Sequence, residues 1–170
     1  IDDPPVLLYA KGNVESLNGE NMVAVVGTRE PSREGKEAGL KAGRVLAGAE
    51  ATVVSGLAHG CDESAHVGCL DEDGTGVAVL ADGLDMVYPE ENEWIAKDLL
   101  HCEGCLVSEY PPGVDPNRSF FVERDRIQSG LSDGVLVIET TADGGTMHTV
   151  RSAEHQKRPV ACIVPSEGIR

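Results

Sequence analysis

The chain has 170 residues, of which 41% are hydrophobic and 4% aromatic, and this length suits one ordinary domain with an aliphatic core. Acidic residues outnumber basic ones by 29 to 14, and the resulting net charge of -15 repels phosphate at long range. The chain lacks an apolar run of the roughly 18 residues that a membrane helix needs and lacks a signal-peptide pattern, so we expect a cytoplasmic protein with no membrane partner.

Six short apolar runs recur along the chain and predict its strands. They lie at residues 22–26, 51–54, 76–80, 105–108, 135–138 and 159–164. Each run is continuous and rich in β-branched residues, which is typical of strands buried on both faces of a parallel sheet. Helical patterns fill the intervals, at residues 32–48, 62–71, 90–100, 120–131 and 146–157. This alternation predicts a single domain over 1–170, an α/β fold of three layers and Rossmann type, with a mostly parallel sheet and an extra N-terminal edge strand at 6–9.

The turn after the first parallel strand has the features of an anion site. It contains Gly27, Thr28 and Arg29, and Ser32 is the predicted N-cap of the next helix. A tight glycine turn, a hydroxyl, a helix N-terminus and an arginine suit a phosphate. The turn is not a G-x-G-x-x-G fingerprint, which disfavours NAD. The alternative interpretation is a capped turn with Arg29 on the surface.

A second turn of small residues, which includes Ser55 and Gly56, leads into a helix that Asp62 is predicted to cap. Its backbone amides are available to a ligand. His59 and His66 stand nearby, but only Asp62 and His66 have the spacing of one helix face, so we expect no metal site here. His66 is instead expected to pack within the fold.

The five cysteines are an odd number without the spacing of a small disulfide scaffold, so reduced thiols are expected. Cys102 and Cys105 form a C-x-x-C pair that leads into a predicted strand, whereas a redox pair normally opens a helix. There is no second pair to complete a zinc site. The sequence therefore predicts neither a metal nor a cofactor.

Two aromatic residues lie beside two basic residues in the segment between the fourth and fifth parallel strands. Phe120 and Phe121 precede Arg124 and Arg126. An aromatic ring beside guanidinium groups suits an unpaired base and its phosphates. The alternative is that one phenylalanine is in the core, the other fastens the loop, and Arg124 pairs with an acidic neighbour.

The last predicted helix opens on Gly144, Gly145 and Thr146, which are expected to face the same crevice as the first turn. Two amide-lined turns beside one crevice indicate a ligand that carries phosphate. A nucleic-acid strand and a nucleotide both fit this description.

These motifs, in this order, resemble the DprA/Smf family of DNA-processing proteins. The matching segments are 5–9 with Gly12, 25–29 (VVGTR) with Ser32, 55–60 (SGLAHG) with Asp62, Ala65 and His66, 83–85 with Tyr88 and Pro89, 108–113 (SEYPPG), 121–124 with Arg126 and Ile127, and 130–132. The resemblance implies a dimer that binds single-stranded DNA without sequence preference, protects it, and delivers it to a RecA-type recombinase during natural transformation. It implies no enzymatic activity.

The resemblance also implies which residues bind DNA. They are Gly27, Thr28, Arg29, Ser32, Ser55, Gly56, Phe121, Arg124, Arg126, Gly144, Gly145 and Thr146. Dimerisation is implied for the last strand and the neighbouring helix, around residues 160–164. The chain departs from the family pattern at Val122, at Glu123, where a basic residue is usual, and at Asp125, where asparagine is usual. We also expect the flanking modules of many family members to be absent.

Two other functions stay open at this point. The first is a nucleotide-binding protein, or an enzyme that hydrolyses the N-glycosidic bond of a nucleotide, with Glu109 or Glu139 as the carboxylate. The second is an interaction protein that assembles through its acidic surface or an apolar edge.

Overall fold

One sheet organises the chain, whose computed structural model describes residue 1 and residues 3–164. Its strands are β1 (Tyr9–Gly12), β2 (Met22–Val26), β3 (Thr52–Ser55), β4 (Gly76–Leu80), β5 (Cys105–Ser108), β6 (Gly134–Val137) and β7 (Val160–Cys162). They lie in the order β1-β5-β4-β3-β2-β6-β7, and all neighbours are parallel except β1, which is antiparallel to β5. The chain reverses its direction across the sheet between β2 and β6, where ligands of such folds bind.

Helices cover both faces of the sheet. They are α1 (Arg33–Gly48), α2 (Cys61–Leu70), α3 (Glu93–His101), α4 (Arg118–Leu131) and α5 (Thr146–His155). Along β4, Val77 and Val79 point into the cluster beneath α4 and α5, whereas Ala78 and Leu80 point into the cluster beneath α3. The helices α1 and α2 pack on the same face as α3. The predicted three-layer Rossmann-like fold is therefore confirmed.

The helices α1 and α2 pack in near backbone contact. A Cβ on Gly68 would overlap the backbone of Leu40, and a Cβ on Gly43 would overlap that of Ala65. Because both positions leave no room for a side chain, glycine is what lets the two helices pack this closely. This contact fixes α2 against α1 and so places the N-terminal ends of both helices at the same edge of the sheet.

The edge strand lies later in the chain than predicted. Val6 and Leu7 are exposed, and β1 runs from Tyr9 to Gly12. Its position is set by backbone pairing with β5, where Tyr9 stands opposite Ser108, and not by the apolar run that precedes it. Backbone pairing of an edge strand leaves little trace in hydrophobicity. The last strand is also shorter than predicted and lies within 159–164.

The predicted cap of α2 was wrong. The helix begins at Cys61, and its N-cap is Gly60, at φ 83°. A Cβ on Gly60 would stand 2.6 Å from the carbonyl oxygens of Thr28 and Arg29, so this position has both the conformation and the close approach that favour glycine. Asp62 lies two residues beyond the N-cap, as the second residue of the helix, and its buried carboxylate has a different role, described below.

Candidate functional site

A cavity of about 680 Å³ opens at the carboxyl ends of β2 and β6, where the chain reverses direction. Eight of the twelve predicted site residues line it: Gly27, Thr28, Arg29, Phe121, Arg124, Gly144, Gly145 and Thr146. The volume is within the range of small-ligand sites. The two glycine-rich turns predicted to share one crevice therefore do so.

The turns after β2 and β6 are joined by Glu139. Its carboxylate accepts hydrogen bonds from the Ser32 hydroxyl at 2.7 Å and from the Ser32 amide at 3.1 Å, and its carbonyl accepts from the Thr28 amide at 2.7 Å. Ser32 in turn accepts from the Gly35 amide at 3.0 Å, as the predicted N-cap of α1. Glu139 and Ser32 thus hold the two turns together, although neither residue lines the cavity.

Phe121 is the aromatic wall of the cavity. The guanidinium of the exposed Arg29 lies 4.6 Å from its ring centroid, which is cation–π distance. The ring of Tyr88, which is half exposed, lies 5.8 Å from that of Phe121 at an interplanar angle of 56°. Residues from the β2–α1 turn, from α4 and from the segment after β4 therefore form one aromatic and cationic surface.

Arg124 is a fixed charge in the floor of the cavity, and its side chain is only 4% exposed. Its Nη1 donates to the Val79 carbonyl at 2.6 Å, and its Nε lies 3.3 Å from Asp125 Oδ1. The Gln128 amide, with its oxygen turned toward Arg124, accepts from Nη1 at 2.9 Å and from the Gly56 amide at 3.0 Å. These partners hold the guanidinium in one position.

Two carboxylates accompany Arg124. Asp62 accepts from the Gly56 amide at 3.1 Å, and burial raises its pKa while Arg124 opposes that shift. Asp125 lines the cavity with its side chain 14% exposed, and burial raises its pKa to about 6 against the opposing effect of Arg124. A Cβ on Gly56 would overlap the Arg124 guanidinium, so only glycine leaves room for this group.

The cavity differs in charge from the molecule as a whole. Among its lining residues, Arg29, Arg118 and Arg124 stand against two carboxylates, whereas the chain carries 14 basic and 29 acidic residues. Glu123, one of the two acidic departures from the family pattern, does not line the cavity; it accepts from the Tyr110 hydroxyl at 2.8 Å. Of the two acidic departures, only Asp125 therefore lies in the site itself, as does the third departure, Val122.

Four predicted site residues lie outside the cavity lining. Ser32 caps α1, the Ser55 hydroxyl donates to the Val25 carbonyl at 2.6 Å, and Gly56 lies behind Arg124. The fourth residue is Arg126.

Arg126 is held by acidic partners away from the cavity. Its guanidinium donates to Glu109 at 2.8 Å and to Asp3 at 3.0 Å. Phe120 also points away from the cavity and stacks on Tyr110, with ring centroids 4.0 Å apart. The alternative interpretation of this segment is thus correct for Phe120, which fastens the loop, and for Arg124, which lies beside Asp125. It is wrong for Phe121, which lines the cavity.

Sequence reasoning missed several lining residues, among them Tyr88, Arg118, Gln128 and His148. Arg118 and Gln128 could have been found from helical spacing, because both fall on the face of α4 that carries Phe121. Nothing in the sequence marked Tyr88 beyond its place in a family motif.

The other candidate sites do not assemble. The described residues contain no group of three or more His, Cys, Asp or Glu side chains that could hold a metal. His66 is fully buried, as expected of a packing residue, and burial lowers its pKa to about 4. The five cysteines, all among the described residues, are free thiols, with Cys105 buried in β5. None of the helices in the described part of the chain is long and apolar enough to cross a membrane.

Comparisons with known proteins identify the family of this chain. The family model for DNA recombination-mediator protein A matches residues 1–168. Protein Smf of Escherichia coli is 40% identical over 161 residues, which are 95% of this chain and 43% of that protein. The chain thus spans less than half the length of this relative.

Two solved structures share the fold over almost the whole chain. DNA processing protein A of Helicobacter pylori, whose structure describes a single-stranded DNA binding mode, superposes with a TM-score of 0.90 at 28% identity, covering 99% of this chain and 76% of that one. DprA of Streptococcus pneumoniae superposes with a TM-score of 0.87 at 37% identity, covering 96% of this chain and 57% of that one. With a family model over nearly every residue and a shared fold, this chain belongs to the DprA/Smf family.

Proposed function

We propose that this chain binds single-stranded DNA in the cavity at the carboxyl ends of β2 and β6. The observation that carries the proposal is the contact between Arg29 and Phe121, at 4.6 Å. A ring beside a guanidinium lets a base stack while its phosphate is neutralised. The single-stranded DNA binding mode described for the Helicobacter pylori relative supports the same ligand.

The ligand's phosphates meet Arg29 and Arg118 at the rim and the Gly145 and Thr146 amides at the start of α5. The Gly144 amide already donates to the Thr141 carbonyl at 3.0 Å. No contact in this arrangement depends on the identity of the base, so binding has little sequence preference. The proposal includes no chemical step. Glu139 holds the Ser32 cap and Glu109 holds Arg126, so both carboxylates considered for hydrolysis have structural partners.

Fluorescence anisotropy with a labelled single strand tests the proposal, with unlabelled single strand, duplex DNA and AMP as competitors. Displacement by the single strand, but only weakly by duplex or AMP, is expected. Displacement by micromolar AMP would instead support the nucleotide-binding alternative. Absence of binding at both low and molar potassium chloride would overturn the proposal.

The variant Arg29→Ala makes the test specific to the cavity. It should weaken binding about equally for all sequences and lower the slope of log affinity against log salt by about 0.7, because one phosphate contact is lost. Arg33→Ala is the matched control, since Arg33 is exposed at the start of α1 and pairs with Glu37 at 2.9 Å. An equal loss in both variants would contradict the assignment.

We further propose that two copies associate through the β7 edge. Val160 and Ile163 are about 40% exposed and Val164 is 81% exposed, and β7 pairs only with β6 among the described residues. An apolar open edge of this kind is a ready pairing surface. Ile163→Asp should lower the mass measured by light scattering from dimer to monomer. Val45→Asp, at an exposed position on α1, should not.

From family membership we also propose that the bound strand is protected in the cytoplasm and passed to a RecA-type recombinase. Loading of the recombinase onto single-stranded DNA should be faster in the presence of this protein. The Arg29→Ala variant, which holds the strand more weakly, should accelerate loading less than the unaltered protein does.

A further inference from the structure

The exposed face of α5 carries a row of basic and imidazole side chains that starts at the cavity. His148, Arg151 and His155 are all exposed, and they stand three, four and seven positions apart. This spacing places them on one face of the helix. The opposite face, with Thr146, Thr149 and Ala153, is buried. We name His148, Arg151, His155 and the following Lys157 the α5 row.

The charge of this segment is opposite to that of the chain. Residues 144–159 contain three basic residues and one acidic residue, Glu154, whereas the whole chain contains 14 basic and 29 acidic residues. Within the described residues, no carboxylate lies within 4 Å of Arg151 or Lys157, while Arg158 lies 3.9 Å from Asp133. The row thus keeps cations unpaired on a surface that is otherwise rich in carboxylates.

A structural role explains only part of the row. Basic residues at the end of a helix stabilise its C-terminal dipole, and this accounts for Lys157 and for His155, whose ring bonds the Arg151 carbonyl at 2.9 Å. Arg151 lies in the middle of the helix, where that effect is small. The dipole effect therefore does not account for Arg151.

The row is continuous with the cavity. Thr146, the first residue of α5, and His148 both line the cavity. From there the helix runs about 15 Å toward the amino ends of the strands, at 1.5 Å for each of its 10 residues. A chain of phosphates that leaves the cavity along α5 would pass His148, Arg151 and Lys157 in turn.

We infer that the α5 row is a second segment of the nucleic-acid interface, which binds the phosphates of the single strand where it leaves the cavity. This inference rests on the proposed function, since the cavity must hold the strand for the row to extend it. The cavity then binds the stacked base, and the row contributes affinity only for strands long enough to reach it.

Strand length separates the two segments experimentally. Anisotropy would be measured with labelled single strands of about 4 and about 16 nucleotides, which span the site sizes typical of single-strand binding proteins. Arg151→Glu should weaken binding of the long strand about tenfold and lower its salt slope by about 0.7. Binding of the short strand should change less than twofold.

The control is Lys41→Glu, which makes the same change in net charge on α1, across the sheet from α5. It should change binding of either strand less than twofold. Equal effects of Arg151→Glu and Lys41→Glu on the long strand would overturn the inference while leaving the cavity assignment intact. A change of molecular mass in Arg151→Glu would also overturn it, because the row would then belong to a contact between copies. Failure of the unaltered protein to bind either strand would overturn the inference and the proposed function together.

Discussion

The guanidinium of Arg29 lies over the ring of Phe121, 4.6 Å from its centroid, although Arg29 belongs to the turn after β2 and Phe121 to α4. One face of the ring is therefore occupied by a cation. A base that enters the cavity must stack on the remaining surface of Phe121 or displace Arg29 from it. The stacking of a base on Phe121 and the neutralisation of its phosphate by Arg29 are thus coupled. Variants that remove only one of these two side chains measure the two contributions separately.

Phe121→Ala should weaken binding of single-stranded DNA by about tenfold to a hundredfold, because stacking of a base on an aromatic side chain contributes about 1–3 kcal/mol. The salt slope should stay unchanged, since no phosphate contact is lost. A salt series of anisotropy titrations measures both quantities. Phe120→Ala is the control, because Phe120 stacks on Tyr110 outside the cavity. An equal loss in the two variants would show that the aromatic contribution does not come from the cavity.

Gly56→Ala should destabilise the fold by about 1–3 kcal/mol, the usual cost of overpacking, because a methyl group there overlaps the Arg124 guanidinium. Urea denaturation measures the change. Gly48→Ala is the matched control: this glycine ends α1 with nothing within 4 Å of a Cβ, so alanine should be neutral or stabilise by about 0.5–1 kcal/mol. Unchanged stability of Gly56→Ala would show that Arg124 can move aside.

The affinity for single-stranded DNA should rise as the pH falls from 7.5 toward 5.5. The pKa of Asp125 is raised to about 6, mainly by burial, and Asp62 raises it further while Arg124, Arg29 and the Thr149 hydroxyl oppose the shift. A phosphate in the cavity disfavours the ionised carboxylate, so binding takes up a proton and is strengthened at low pH.

Asp125→Asn should bind more tightly than the unaltered protein at pH 7.5 and should have a smaller pH dependence of affinity. Anisotropy titrations at several pH values measure this. His148 also lines the cavity, so His148→Gln is the companion variant, and it should retain the part of the pH dependence that comes from Asp125. An undiminished pH dependence in Asp125→Asn would contradict the assignment.

Asp82→Asn should stabilise the fold at neutral pH. Neither carboxylate oxygen of Asp82 has a hydrogen-bond partner, the residue is 1% exposed, and burial raises its pKa from 3.8 to about 6. Between pH 3.8 and about 6 the folded state thus keeps a proton on Asp82 that the unfolded state has lost. This group therefore leaves the free energy of unfolding highest below pH 3.8 and lowers it as the pH rises through 6. The stability difference between the two proteins should grow to the order of 2 kcal/mol at pH 7.5 and be small near pH 4. Urea denaturation at both pH values measures it, and a difference independent of pH would count against the buried carboxylate.

The central sheet could be predicted because β2, β3, β4 and β5 are almost entirely buried on both faces, so that each is a continuous apolar run. In β6, one face is buried and the other is half-buried, and its residues are still apolar throughout. The position of the edge strand could not be predicted in the same way, because Val6 and Leu7 are apolar but exposed. Burial leaves a pattern in the sequence, whereas the backbone pairing of Tyr9 with Ser108 leaves none.

The cavity was predictable in part. The turns at Gly27 and Gly144 follow parallel strands and so must meet at one edge of the sheet. The choice among arginines was not fixed by the segment alone, since Arg124 and Arg126 are two residues apart and point in different directions. Taking Phe121 as the anchor and counting by helical spacing would have selected Arg118 and Arg124 and rejected Arg126. The bond from Arg124 to Val79 joins residues 45 positions apart and has no local signal.

The fixed position of Arg124 has a consequence for the thermodynamics of binding. A mobile arginine loses about 2 kcal/mol of side-chain conformational entropy when a ligand immobilises it. Because the Val79 carbonyl, Gln128 and Asp125 already hold this guanidinium, that loss has occurred during folding. When a strand reaches the floor of the cavity, its contact with Arg124 therefore carries little further loss of side-chain conformational entropy.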